Sequence, residues 1–285
     1  MIIGAHLTIA KGMSAAVELA KSIDANAFQF FTRNPRGGRA RHIGEEEIEE
    51  FLQHRTEGEI RCTAGHMPYT INLATNRPDI HEFGKETLLE DLQRFAPAQV
   101  DFLILHPGSH LGDGKDAGID RIVGALSYAF ERYHEDQPIV LLETMAGHGT
   151  EIGRDLQELR EIFARLDWPD KMGVCLDSAH LLAAGYDLTR TEGIDEFVEE
   201  FDGLLGLERM KMLHLNDSKQ GLSSHIDRHA KIGQGTLGME GIGAIVNHPV
   251  LGSLPIILET PVDDYPEYGD EIRLVRKLRK TAVNR

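Results

Sequence analysis

The sequence is organised around eight short apolar runs that recur at nearly even intervals. The runs are bounded by turn residues and contain mainly β-branched or other apolar residues, as is typical of buried parallel strands. Residues at or beside their ends, from His6 to Glu259, are separated by 25, 35, 40, 37, 34, 37 and 45 residues, about one strand–helix unit each. The predicted strands are Ile2–Ala5, Ala27–Phe31, Arg61–Gly65, Phe102–Leu105, Ile139–Leu142, Met172–Leu176, Met212–Leu215 and Pro255–Leu258.

Amphipathic stretches lie between these runs, with apolar residues at helical spacing and charged residues on the opposite face. They predict helices over Ala15–Ile23, Glu45–His54, Lys85–Phe95, Asp120–Tyr133, Asp155–Leu166 and Asp195–Leu205. Eight strand–helix units fit a (β/α)₈ TIM barrel, whose typical length is about 250 residues. We therefore expect residues 1–285 to form a single α/β domain. Its active site should lie at the C-terminal rim of the strands.

Nine candidate metal ligands, five histidines and four carboxylates, lie at or after the predicted strand ends. They are His66, His106, Glu143, Asp177, His180, His214, Asp227, His229 and Glu259. Six of them close six different strands, so the barrel would bring them to one rim. Imidazoles and carboxylates bind zinc-like ions well, and about four to six ligands suffice for one ion. Nine ligands therefore predict a metal cluster, a common solution for cleaving phosphate esters.

Each ligand motif also has a structural explanation when it is taken alone. His66 in HMPYTINL could be a hydrogen-bonded rim histidine, and the glutamates of LLET and ILET could form structural salt bridges. HLNDSK…HIDRH is the most specific motif, because Asp227-x-His229 puts two ligands on the same side of an extended segment. Together the motifs favour a metal site. His6 and His110 are expected to support ligands rather than bind metal.

Composition excludes several classes of protein. The chain is 41% hydrophobic and 27% charged, which is ordinary for a globular domain. No apolar run approaches the roughly 18 residues of a membrane span, and no signal segment precedes the first strand. A cytoplasmic protein is expected. Cys62 and Cys175 lie within predicted strands and should be buried, reduced thiols.

The net charge of −16 argues against a generic nucleic-acid binder. Positive charge is nevertheless concentrated locally. The segment FTRNPRGGRAR places Arg33, Arg36, Arg39 and Arg41 in a glycine-containing loop on the predicted active rim. Lys219, Arg228 and Lys231 flank the ligands that follow the seventh strand. Three divalent ions would also outweigh the four carboxylates, leaving a charge of about +2 at the site.

The motifs also carry a family resemblance. GAH, FTRNPR, HMPYTINL, HPGSH, LLETMAGHG, GVCLDSAHLLAAGYD, LHLNDSK, HIDRHAKIGQG and ILETP resemble, in order and spacing, the endonuclease IV family of apurinic/apyrimidinic endonucleases, over nearly the whole chain. The resemblance implies a TIM barrel with three zinc ions that cleaves duplex DNA 5′ to an abasic sugar. The products would be a 3′-hydroxyl and a 5′-deoxyribose phosphate, and 3′-blocking groups would be removed as well.

The same resemblance implies three sets of ligands. The first is His66, His106 and Glu143; the second is Glu143, Asp177, His214 and Glu259; the third is His180, Asp227 and His229. Glu143 and Glu259 are the expected catalytic carboxylates, with Glu143 placed to help deprotonate a water molecule. Manganese could replace zinc, because histidine and carboxylate sites accept several divalent metals.

Damage recognition is expected from loops beside the metal site. An abasic nucleotide is cheap to flip out because it has no base to unstack, and proteins can fill such gaps with inserted side chains. The expected DNA contacts are Arg36, Tyr69, Thr70, Lys219 and Arg228. Related proteins often carry bulkier residues at Gly37, Gly38 and Thr70, so we expect a smaller wedge here. The expected partner is damaged duplex DNA, bound by a monomer in the cytoplasm, in association with the nucleoid during repair.

Two other functions fit parts of the sequence. Metal-dependent sugar isomerases and epimerases of the xylose-isomerase-like superfamily share the barrel and rim ligands, but usually need one or two metals and no arginine-rich loop. A zinc-stabilised protein that only binds damaged DNA is the other alternative, although a purely structural metal needs no open coordination position. Metal analysis distinguishes the first alternative, and a nicking assay distinguishes the second.

Overall fold

Eight parallel strands close into a barrel. The computed structural model describes residues 1–35 and 40–279. Each strand pairs with its neighbours in chain order, and the ring closes where Ile3 stands opposite Ile256. The strands are β1 (Ile3–His6), β2 (Ala27–Phe31), β3 (Cys62–His66), β4 (Phe102–Leu105), β5 (Ile139–Glu143), β6 (Met172–Asp177), β7 (Met210–His214) and β8 (Ile256–Leu258). The predicted (β/α)₈ barrel is confirmed.

Several strands end one residue later than predicted, which makes candidate ligands part of the hydrogen-bonded ladder. His66 is the last residue of β3 and stands opposite Phe31 of β2. Asp177 ends β6 and stands opposite His214, the last residue of β7. Neighbouring strands lie about 4.8 Å apart, so these side chains leave the rim side by side from a rigid main chain.

The described helices that surround the barrel include six at the positions that the apolar spacing predicts and three, Ser178–Ala184, Gly238–Asn247 and Pro266–Leu278, that were not predicted. The helices are α1 (Met13–Ser22), α2 (Glu45–Glu57), α3 (Pro78–Phe95), α4 (Lys115–Phe130), α5 (Leu156–Arg165), α6 (Ser178–Ala184), α7 (Thr191–Leu205), α8 (Gly238–Asn247) and α9 (Pro266–Leu278). The third helix begins well before the predicted Lys85. Proline at Pro78 suits a first helical turn, and Gly84 packs so closely that an added Cβ would lie 3.0 Å from Leu73. Within the described ranges, no helix has the length and apolar character needed to cross a membrane.

The barrel interior is packed with apolar side chains rather than open, as in other TIM barrels. The interior residues are Ala27, Cys62, Ala64, Ile104, Leu141, Cys175, Met212 and Ile257. A larger apolar cluster, which includes Phe28 and Phe51, fills the space between strands and helices. Both cysteines are free and buried, as expected, and burial raises the pKa of each thiol. The polar side chains of the candidate site lie above this packed interior, at the rim of the barrel.

Candidate metal centre

A cavity of about 560 Å³ opens at the C-terminal rim of the barrel. Its floor is formed by histidines and carboxylates from several strand ends, and aromatic side chains stand around its wall. The lining residues include His66, His106, Glu143, His180, His229, Glu259, Phe31, Tyr69 and Tyr265. Six of the nine residues singled out from the sequence line this cavity, and the other three, Asp177, His214 and Asp227, contact them. The contacts of the nine fall into three overlapping groups.

The first group joins β3, β4 and β5. The Nε2 atoms of His66 and His106 each lie 3.0 Å from the same Oε2 atom of Glu143. The Glu143 and His66 side chains are both buried. One ligand atom from each residue lies within 4.8 Å of the others, close enough for one cation.

The second group is built on the other oxygen of Glu143. The Nδ1 atom of His214 lies 3.1 Å from Glu143 Oε1 and 3.2 Å from Glu259 Oε2. Asp177 completes a set whose ligand atoms again lie within 4.8 Å of one another. Glu143 therefore belongs to both groups, one oxygen facing each.

The third group lies towards the open side of the cavity. The two oxygens of Asp227 are each 3.3 Å from an Nε2 atom, one from His180 and one from His229. Asp227 comes from a loop, and 49% of its side chain is exposed. Asp177 also approaches this group, with Oδ2 3.5 Å from His229 Nε2. Asp177 therefore lies between the second and third groups. The ligand sets implied by the family resemblance assign it to the second group alone.

In the third group, one ring nitrogen of His180 and one of His229 have no hydrogen-bond partner. The Nδ1 atom of His180 lies 2.9 Å from the Thr144 carbonyl, and that of His229 lies 3.2 Å from the Glu259 carbonyl. Each Nδ1 donates its proton to the carbonyl, which leaves Nε2 with a lone pair. Both Nε2 atoms are buried without a hydrogen-bond partner although they face Asp227. A lone pair facing a carboxylate is repulsive, so either a proton on Nε2 or a cation must lie between the two groups, and a divalent metal fits this donor set.

The electrostatics of the cavity also favour a cation. Burial by itself would raise the pKa of the Glu143 carboxyl, but the imidazoles of His106 and His214 bring that pKa well below its usual range. Burial opposes protonation of His180, yet Asp177 and Asp227 raise its pKa well above the usual value. Among the described residues that line the cavity there is no lysine or arginine. Positive charge for these carboxylates therefore has to come from protonated histidines or from bound metal.

Several residues that hold the ligands in place were not identified from the sequence. Asn216, which is fully buried, donates from Nδ2 to Asp177 Oδ2 at 2.7 Å and accepts at Oδ1 from the Glu259 main-chain N–H at 2.8 Å. Asp217 accepts from the main-chain N–H groups of Gly235, Leu237 and Gly238, and so anchors the end of the loop that carries Asp227 and His229. Asn216 and Asp217 come two and three residues after His214 in HLNDSK, and that motif was the available indication of their importance.

The two histidines expected to support ligands are placed differently from each other. His6 Nδ1 lies 3.2 Å from Glu259 Oε1, next to a ligand as expected. His110 instead accepts a hydrogen bond at Nδ1 from the Gly114 main-chain N–H at 3.1 Å. Its ring stabilises the turn before α4, and the expectation that it supports a metal ligand stays a prediction.

Of the residues expected to contact DNA, Tyr69 lines the cavity, and Thr70, Lys219 and Arg228 lie on loops that follow barrel strands. Tyr69 lines the mouth of the cavity and is 62% exposed, and the Thr70 hydroxyl donates to the Pro35 carbonyl at 3.4 Å. Lys219 and Arg228 are exposed and are joined by a main-chain hydrogen bond of 2.8 Å. Arg36, like Gly37, Gly38 and Arg39, lies outside the described residues.

Part of the local positive charge expected on this rim is already paired. Arg33 is buried and its guanidinium lies 2.6 Å from Asp91 Oδ1. Arg41 forms two hydrogen bonds of 2.6 Å with Glu47. Arg33 therefore anchors the loop after β2 to α3 rather than presenting charge to a ligand, because a buried guanidinium requires a partner.

Comparisons with known proteins agree with this geometry. The model of the family described as xylose isomerase-like TIM barrel matches residues 17–278. The fold and the rim site thus define a xylose isomerase-like barrel. A probable endonuclease 4 of Moorella thermoacetica is 49% identical to the chain, over 98% of the chain and 99% of the relative. The crystal structure of endonuclease IV from Thermus thermophilus matches with a TM-score of 0.85 and 33% identity, over 98% of both chains. The chain belongs to the endonuclease IV family, and the resemblance seen in its motifs is confirmed.

Sugar epimerases share the architecture at lower similarity. The crystal structure of a D-tagatose 3-epimerase-like protein matches with a TM-score of 0.71 but only 17% identity, over 98% of each chain. Similarity at that identity shows the fold alone. The alternative of a sugar isomerase or epimerase therefore gains support for its barrel but none for its chemistry.

Proposed function

We propose that this member of the endonuclease IV family is a zinc-dependent hydrolase that cleaves duplex DNA on the 5′ side of abasic sites. The observation that carries the proposal is the convergence of three ligand groups on one cavity, with Glu143 shared by two of them. An exposed aromatic side chain, Tyr69, stands at the mouth of the same cavity. Phosphodiester hydrolysis commonly uses neighbouring metals, and recognition of a missing base commonly uses an inserted side chain.

The ligands would divide among three zinc ions, with manganese as a possible substitute. The first ion would be held by His66, His106 and Glu143, the second by Glu143, Asp177, His214 and Glu259, and the third by His180, Asp227 and His229. When bound, such ions lower the pKa of a nucleophilic water and supply positive charge opposite the phosphate oxygens. Distances of 3.0 to 3.3 Å within each group support this division for eight of the nine residues. Asp177 lies 3.5 Å from His229 in the third group and also has a ligand atom within 4.8 Å of those of the second group.

The chain's own residues would contribute orientation and proton transfer. Glu143 and Glu259 are the proposed catalytic carboxylates, because both face the cavity and both lie beside His214. Glu143 would be the proton acceptor because its carboxylate lies among the proposed ligands, with one oxygen facing each of two groups. Asp227, whose side chain is 49% exposed, would face an incoming substrate.

DNA would be held by the loops around the cavity. Arg36, Tyr69 and Thr70 would fill the gap left by the missing base, while Lys219 and Arg228 would contact phosphates. Hydrolysis between phosphorus and the 3′ oxygen would leave a 3′-hydroxyl and a 5′-deoxyribose phosphate. The same bond joins many 3′-blocking groups to DNA, so the proposed activity includes their removal. We propose that the chain acts as a monomer.

The direct test is a nicking assay on a duplex with one synthetic abasic site, run with zinc and with chelator. We expect a nick 5′ to the abasic site whose 3′ end a polymerase can extend, no nick after chelation, and recovery when zinc is returned. A matched intact duplex is the control. Tight binding by zinc-loaded protein without any nick would refute the proposal and favour a protein that only binds damaged DNA.

A further inference from the structure

Gln29 is a buried amide that connects two of the candidate metal ligands. It lies in the middle of β2 and is 0% exposed. Its Nε2 atom is 2.6 Å from Glu259 Oε1, and its Oε1 atom is 2.7 Å from His214 Nε2. Nε2 is also 3.0 Å from His6 Nδ1. Among the described residues of β2 there is no candidate metal ligand. The contribution of this strand to the site is the Gln29 amide.

The orientation of the amide follows from the chemistry of its partners. An ionised carboxylate only accepts hydrogen bonds, so the Gln29 atom facing Glu259 must be the NH₂ group. The carbonyl oxygen then faces His214 Nε2, which must carry the proton. A neutral imidazole has one proton, so Nδ1 of His214 is left with a lone pair. That Nδ1 atom is the one that faces Glu143 and Glu259.

Three neighbouring histidines carry the ring proton on Nδ1 instead of Nε2. Nδ1 of His66 lies 2.6 Å from the Met67 carbonyl, and Nδ1 of His180 and His229 also faces main-chain carbonyls. Those three rings keep Nε2 free for metal, and the main chain sets their tautomer. His214 depends on a side chain for the same purpose, and that side chain is Gln29.

We propose that Gln29 is a positioning residue that sets the tautomer of His214 and the orientation of Glu259, and thereby makes His214 bind the second metal through Nδ1. The inference rests on the metal centre proposed above. A partner behind a metal-binding histidine typically changes metal affinity by about 10–100-fold when it is removed. Gln29 contacts two ligands of the same ion, so we expect its loss to weaken that ion selectively.

The first test compares zinc affinities by chelator competition in Gln29→Leu and Thr63→Val. Leucine occupies similar space but neither donates nor accepts a hydrogen bond. We expect one zinc ion to be released about 10–100-fold more readily, while the other two are retained. Thr63→Val is the matched control. Thr63 is a buried residue of the adjacent strand β3, and the change removes its part-buried hydrogen bond of 3.0 Å to Asp101 without touching a candidate ligand. Unchanged zinc affinity in Gln29→Leu, or equal losses in the two variants, would overturn the proposal.

The second test needs no variant and no DNA. Histidine-selective ¹⁵N NMR of the unaltered zinc-loaded protein shows which ring nitrogen carries the proton. We expect the proton on Nε2 in His214 and on Nδ1 in His66, His180 and His229. A protein that holds zinc and nicks abasic DNA but carries the His214 proton on Nδ1 would refute this inference alone. A protein that binds no zinc would refute the proposed function as well.

Discussion

Replacing Tyr69 with alanine should weaken binding of abasic DNA without unfolding the protein. The side chain is 62% exposed at the mouth of the cavity, and exposed substitutions usually change stability by less than about 0.5 kcal/mol. One stacking contact with a nucleotide is worth about 1–3 kcal/mol. At about 1.4 kcal/mol per tenfold change in affinity, the loss corresponds to roughly 5- to 150-fold weaker binding of the abasic duplex.

The assay is competition binding of matched abasic and intact duplexes at one salt concentration, because phosphate contacts vary steeply with salt. Phe83→Ala is a suitable control: this aromatic ring on α3 is 54% exposed but does not line the cavity. Thr70→Leu should act in the opposite direction, because it restores bulk beside Tyr69 and should sharpen the preference for abasic DNA. Equal losses for both duplexes in Tyr69→Ala would show a general backbone contact and refute the wedge.

Three further predictions concern the metal centre and its support. Glu143→Gln and Glu259→Gln should each lower the nicking rate by about 10²–10⁴-fold in a folded protein; near-parental rates with full metal content would contradict their roles. Chelation should lower the melting temperature measured by calorimetry, because ions that bind only the folded state stabilise it; an unchanged value would contradict tight binding. Asp91→Asn should destabilise the protein by about 3–5 kcal/mol in urea unfolding, because it leaves the buried Arg33 without its buried anionic partner; a loss below about 1 kcal/mol would show that the pair contributes little.

Most of the barrel and all nine candidate ligands could be predicted because both depend on local sequence patterns. A short stretch of sequence is enough to recognise each apolar run and the residue that ends it. The closed barrel then brings the strand ends together. His66 and Glu143 are examples: each ends a short buried strand, and the two side chains meet at 3.0 Å.

The supporting contacts could not be predicted in this way because they join distant parts of the chain. Gln29 and Glu259 are 230 residues apart in sequence. Gln29 lies on β2 and Glu259 follows β8, and these two strands are not neighbours in the barrel. From the sequence alone, a glutamine within a strand does not indicate that it will contact a distant carboxylate such as Glu259. Arg33 likewise looked like free charge on a loop, since its pairing with Asp91 depends on how α3 packs against β2.

We propose that nine side chains form a centre for three zinc ions. Anomalous diffraction at the zinc absorption edge, from crystals of zinc-loaded protein, would locate those ions. We expect three peaks at the rim: one beside His66 and His106, one beside His214 and Glu259, and one between His180 and His229. Fewer than three peaks, or peaks away from these residues, would contradict this proposal.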